Sequence, residues 1–173
     1  MILFISAAFS AGYVMLGEDG YTPQEGDYYI FEVTGETETL TFEGQLRYEI
    51  TEVADENYQV SQTSKNFENI SWPGRGDTTY NIEDPGIGID LEGVDYIGEE
   101  TVDTGIGTFE TIHYQYTGYG RGHGDTVINY FVTDDENKFP VKMVLESSIS
   151  DEEPMEIHTL KETNIDTLKE LAN

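Results

Sequence analysis

A chain of 173 residues fits one domain, and at that length roughly two-thirds of the unfolded surface is buried without cross-links. Its 35 Asp and Glu against 8 Lys and Arg give a formal net charge of −27. No basic patch then exists to release counterions from nucleic-acid phosphates, and anionic membranes repel the folded part. Cysteine is absent, which removes disulfides, thiolate metal sites and cysteine nucleophiles.

Self-repulsion on this scale destabilises a compact state unless ions screen it, so the acidity reads as adaptation to a salty or cation-rich exterior, with ordinary solubility as the plainer account. Apolar residues are 37% of the chain, and 12 Tyr and 8 Phe offset that shortfall with large buried areas.

Residues 1–16, MILFISAAFSAGYVML, form an uncharged run, and the acids begin at Glu18. Three readings stand side by side. As a signal-peptide core it offers Ala8 and Ser10 as a small-x-small cleavage pattern, although no Lys or Arg precedes it. As a membrane anchor it falls short of the ~20 residues needed to span. As a packed or donated strand it would present Ile2, Leu3, Phe4, Ile5, Phe9, Tyr13, Val14 and Leu16 to its own core or to a neighbour's sheet. All three point to export, to the extracellular space or the cell surface, and any membrane contact would run through this segment. The chain thus divides into an apolar N-terminal segment, 1–17, and a single β domain, 18–173.

Beyond a Gly/Pro/Asp-rich connector, strand follows strand. Residues 28–33 are β-branched and aromatic; residues 37–42 and 46–53 come next. In the last of these Leu46, Tyr48 and Ile50 alternate with Arg47, Glu49 and Thr51, the period of a strand wet on one side. A turn at Asp55-Glu56-Asn57 leads into 57–64. The middle is less regular, with loop punctuation at Trp72-Pro73-Gly74 and Asp84-Pro85-Gly86 and short strands predicted over 78–82 and 87–96. Strands are then expected over 101–104, 108–117, 126–133, 139–148 and 155–163. The stretch 126–132 is apolar on both parities, so it should be central and covered on both sides. Only the tail looks helical: Ile165, Leu168 and Leu171 recur at helical spacing, with Asn164 or Asp166 as cap. The fold class expected is all-β, an antiparallel and strongly curved sheet (half-open barrel or sandwich) with a short C-terminal helix.

Gly107-Thr108-Phe109-Glu110-Thr111-Ile112-His113-Tyr114, then Tyr130-Phe131-Val132-Thr133-Asp134-Asp135, then Phe139-Pro140-Val141-Lys142-Met143-Val144-Leu145-Glu146 make a familiar order. It resembles lipoprotein-carrier-like domains and their exported relatives, in which such strands are successive staves of a half-open barrel. The resemblance spans about 40 residues and rests on hairpin grammar: Pro140 suits a strand's first residue, and Gly105 and Gly107 permit a sharp bend. It implies a periplasmic or surface protein of a group in which some members carry lipid chains in the concave face, and it transfers no catalytic or binding residue. The acidity and the apolar N-terminal run depart from the usual carrier.

The remaining motifs are weaker. Gly118 to Gly124 alternates glycine around Arg121 and His123, the one locally basic spot; its functional reading is an anion-cradling loop of backbone N–H groups that could dock the next subunit's acidic surface, but without a following Lys-Ser/Thr it is no nucleotide loop and reads as a hairpin tip. Asn69-Ile70-Ser71 is a glycosylation sequon, and Arg75-Gly76-Asp77 is a chance adhesion tripeptide. His113, His123 and His158 lack zinc spacing, and no G-x-S-x-G elbow occurs. Asp134-Asp135-Glu136-Asn137, Asp151-Glu152-Glu153 and Glu83-Asp84 read as solvated turns, with Ca²⁺ as the only cofactor they suggest. These residues predict no enzyme. They predict a surface or binding module whose apolar concave face takes a lipid or small apolar molecule; the alternative is a filament or surface-assembly subunit that self-associates by strand donation.

Overall fold

The computed structural model describes residues 21–37, 40–54, 57–67, 75–81, 94–120, 124–135, 138–147 and 156–173. Nine strands lie there: β1 (Tyr28–Thr37), β2 (Leu40–Val53), β3 (Asn57–Lys65), β4 (Arg75–Asn81), β5 (Asp95–Thr104), β6 (Gly107–Gly120), β7 (Gly124–Thr133), β8 (Pro140–Ser147) and β9 (Glu156–Thr163), followed by the helix α1 (Asp166–Glu170). They form one sheet in the order β4-β3-β2-β1-β9-β8-β7-β6-β5, every neighbouring pair antiparallel. The fold is all-β and the sheet is not closed: β4 and β5 are its edges.

Period-two alternation sets the first half. Phe42, Leu46, Tyr48 and Ile50 of β2 are buried, while Glu43, Gln45, Arg47 and Glu49 face outward or partly so. Across the ladder Tyr48 lies opposite Tyr29 and Leu46 opposite Phe31; the Tyr29 and Tyr48 rings stack at 5.2 Å. Burying each such side chain contributes roughly 1.5–3 kcal/mol. In β5 and β6 the opposite face is buried, through Val102, Phe109, Thr111 and His113. The changeover falls at β7, where every residue from Ile128 to Thr133 is buried. The expected doubly covered strand is this one.

Curvature is visible in one backbone hydrogen bond. The β5–β6 turn belongs to the far edge of the sheet, four strands from β9, yet the Gly105 N–H donates to the Leu160 carbonyl at 2.8 Å. That carbonyl is available because the β8–β9 ladder ends at Lys142 opposite Thr159. A Cβ on Gly105 would sit 2.9 Å from the Lys161 backbone, so only glycine permits the approach. Beside it Thr108 and Asn173 exchange backbone bonds of 3.2 and 2.9 Å. Leu160, Ile165 and Leu168 fill the core around Phe31 and Val33, and α1 docks by Leu168.

Several expectations need correction. Residues 37–42 and 46–53 are not two strands: β2 runs unbroken through Gly44, over which the Phe67 ring packs so closely that a Cβ would meet it at 2.5 Å. The strand expected over 101–104 begins at Asp95, which also takes the end of the one expected over 87–96; residues 87–93 lie outside the described residues. Gly118 to Gly120 and Gly124-Asp125 are strand, not loop, because β6 and β7 pair as far as Gly120 opposite Gly124. Neither Asn164 nor Asp166 caps α1, whose N-cap is Ile165 without a side-chain bond. Asn164 is spent elsewhere, accepting from the Tyr28 N–H at 2.7 Å and donating to the Gly26 carbonyl at 3.0 Å.

Candidate binding face and the polar relay behind it

Residues directly opposite one another on neighbouring strands project to one face. Register therefore assembles a row across five strands: Tyr96, Tyr114, Tyr130, Met143 and His158. A second row runs Tyr116, Ile128, Leu145 and Glu156. Ile128, Tyr130, Met143 and Leu145 are buried as a small cluster separate from the main core, with Tyr114 packed against it. Towards the β5 edge the same face opens to solvent. Tyr96 is 60% and Tyr116 41% exposed, and Tyr96 meets Tyr114 edge-on at 6.2 Å. Ile97, at the bulge in β5, is another exposed large apolar side chain. Burial, with Tyr116 as the smaller cause, pushes the Tyr130 phenol up to about 12, so this hydroxyl stays neutral in the face. At the other end His158 is buried and paired with Glu156.

The reverse side of the same strands carries a polar relay beside the core residues Val102, Phe109 and Phe131. His113 Nδ1 lies 3.0 Å from Glu100 on β5, and its Nε2 lies 2.9 Å from Asn129 Oδ1 on β7. Gln115 Nε2 donates to that same Asn129 oxygen at 2.9 Å, and Asn129 Nδ2 donates to Glu146 on β8 at 3.0 Å. Thr111 Oγ1 donates to the Glu100 carbonyl at 2.6 Å. The His113 ring stacks on Phe131 at 4.5 Å, and the Lys142 ammonium sits 5.3 Å from the centroid of that ring. Four strands are cross-linked by side chains at a place where β7 has no wet face.

A third polar cluster anchors the start of the described chain. Tyr21 bonds to Asp27 and packs edge-on against Phe139 at 5.5 Å. Burial first, and then the Asp27 carboxylate, hold its phenol far above the ordinary range.

The assembly contacts predicted at Ile2, Leu3, Phe4, Ile5, Phe9, Tyr13, Val14 and Leu16 lie outside the described residues, as do Arg121, His123 and the sequon at Asn69. Of the acidic turns, Asp134 and Asp135 are described: Asp135 accepts from Thr133 and from the Lys138 N–H, and Lys138 reaches Asp134 at 3.7 Å. Among the described residues no group of three or more His, Asp or Glu is placed to hold a metal ion. The relay was not read from sequence because Thr111, His113 and Gln115 recur at every second position, as a solvated face does. Its partners come from strands whose register only the fold fixes.

No curated protein matches the chain. Residues 70–155, just under half of the chain and the part that carries both the tyrosine rows up to Leu145 and the relay, match the family described as a protein of unknown function (DUF3108).

Proposed function

We propose that the protein is a non-enzymatic binding module that works outside the cytoplasm and holds an apolar ligand, a lipid chain foremost, against the tyrosine-lined face of β5–β8. One observation carries this: solvent-facing Tyr96 and Tyr116 continue without a break into the apolar cluster of Ile128, Tyr130, Met143 and Leu145. Soluble proteins seldom expose such a face without a use for it, and sites for apolar ligands pair a greasy floor with a few polar groups at the rim. Here the phenols and the Glu156–His158 pair supply that rim. The carrier-like resemblance of the 107–146 strands favours the same ligand class, and the apolar run 1–16 favours export. A non-catalytic role fits His113, whose two nitrogens are both already engaged.

The test is displacement of a fluorescent fatty acid, compared between the parent chain and a Tyr96→Asp/Tyr116→Asp variant. Both side chains are exposed, so the fold should survive. Two charges on the face should weaken binding at least tenfold, about 1.4 kcal/mol. Equal binding by both proteins, or none by the parent, defeats the reading.

A second reading is favoured by the two sheet edges, β4 and β5, which have no ladder partner beyond β3 and β6 among the described residues. An apolar strand donated by residues 1–16 of another copy would complete such an edge. Deleting residues 1–16 should then abolish oligomers in size-exclusion chromatography; an unchanged elution profile excludes it.

A further inference from the structure

The relay behind the tyrosine face specifies where protons sit. The Glu146 carboxylate only accepts, so it draws the Asn129 amide NH₂ towards itself, and Gln115 donates to the Asn129 oxygen from the other side. With Asn129 held in this sense, its oxygen faces His113 Nε2, which must then carry a proton. Nδ1 faces a second acceptor, the Glu100 carboxylate. The relay is complete only when the imidazole is protonated at both nitrogens.

We infer that His113 is a proton-operated clamp on the edge strand β5, and that loss of its Nδ1 proton releases Glu100 while the Nε2–H bond to Asn129 stays. The two bonds differ in what their loss costs. Asn129 is buried and already fixed by Gln115 and Glu146, so an Nε2 lone pair turned towards its oxygen would leave two acceptors face to face. The Glu100 side chain is 52% exposed, and water can replace the partner it loses. Deprotonation therefore takes the proton from the Glu100 side. The charged groups that face the ring from the elements around it are Glu100 on β5, Glu146 on β8 through Asn129, and Lys142 on β8 across Phe131. Opposite His113, β5 carries Gly98, where a Cβ would meet nothing, so the side-chain tie at this level is Glu100. Freed of it, β5 keeps its backbone ladder to β6 but loses the bond that reaches through β6 towards β7.

Two measurements on the intact chain test this. In ¹⁵N spectra of the histidine rings, assigned with His113→Gln, both ring nitrogens should be protonated at pH 5. At pH 9 only the Nε2–H tautomer should remain. Over the same range the hydrogen-exchange protection of β5 amides around Glu100 should fall about tenfold relative to β1. Glu100→Gln supplies an amide that accepts from Nδ1–H and also donates to a bare Nδ1, so it should erase that pH dependence while keeping the strand. An Nδ1–H tautomer at pH 9 overturns the inference. So does β5 protection that ignores pH, or a pH response that survives Glu100→Gln.

Discussion

Substituting Gly105→Ala tests whether the β5–β6 tip truly closes onto β9. An added Cβ would sit 2.9 Å from both Lys161 Cα and the Lys161 carbonyl oxygen. These are backbone atoms of a strand paired on its other side to β1, so no rotamer change relieves the clash. Overpacking of this kind costs about 1–3 kcal/mol, and forcing the turn away also strains or breaks the bond to the Leu160 carbonyl, worth about 1 kcal/mol. The sum, about 2–4 kcal/mol, corresponds to a fall in Tm of roughly 5–15 °C for a domain of this size. Gly98→Ala is the control on the adjoining strand β5, since a Cβ there meets nothing within 4 Å. Thermal denaturation by circular dichroism, all three proteins in one buffer, is the assay. Should Gly105→Ala melt within a degree of Gly98→Ala, the tip does not rest on β9 and the sheet does not curve back to meet it.

Alkaline stability should report on Tyr130. Its phenol is raised from 10.0 to about 12, so between those values the unfolded chain has shed a proton that the folded chain keeps. Stability therefore falls as pH rises from 10 and levels off above 12, by roughly 2–3 kcal/mol for this group, and urea titrations should show a shallower fall in Tyr130→Phe. Raising NaCl from 0.1 M to 1 M shortens the Debye length from about 10 Å to about 3 Å, and with a net charge of −27 it should raise Tm by several degrees. A Tm that falls with salt would mean that attractive pairs outweigh the repulsion.

What the sequence disclosed follows from the range of the forces involved. Alternation is local, so the wet and dry sides of Leu46, Tyr48 and Ile50 were legible, as were Pro140 opening β8 and the two buried parities of β7. Gly44 misled because its role depends on Phe67, more than twenty positions away, whose ring fills the space that a side chain would take. Asn164 misled in the same way: a good N-cap residue by type, it is claimed by the Tyr28 N–H and the Gly26 carbonyl at the other end of the domain. The relay was hidden most deeply. Glu100, His113 and Glu146 look like solvated strand residues, and only the registers of three ladders show that they meet around Asn129.

The distribution of the few cations explains why salt and protons should act on different parts of this molecule. Arg47 lies over Tyr28 at 3.8 Å and bonds Glu49, Lys161 meets Glu32, and Lys169 meets Asp166, all at partly exposed positions. Pairs of that kind contribute at most about 1 kcal/mol each and are screened by salt. They leave most of the carboxylates uncompensated, so global stability is governed by the ionic medium. The His113 ring that gains and loses the proton is itself buried, so mobile ions do not reach it even though its Glu100 partner is half exposed. Salt should therefore stiffen the whole sheet and leave the relay's response to pH in place. Measuring β5 protection against pH at 0.1 M and at 1 M NaCl separates the two: parallel curves support a buried clamp, whereas a pH response that vanishes at high salt would make it one more surface charge effect.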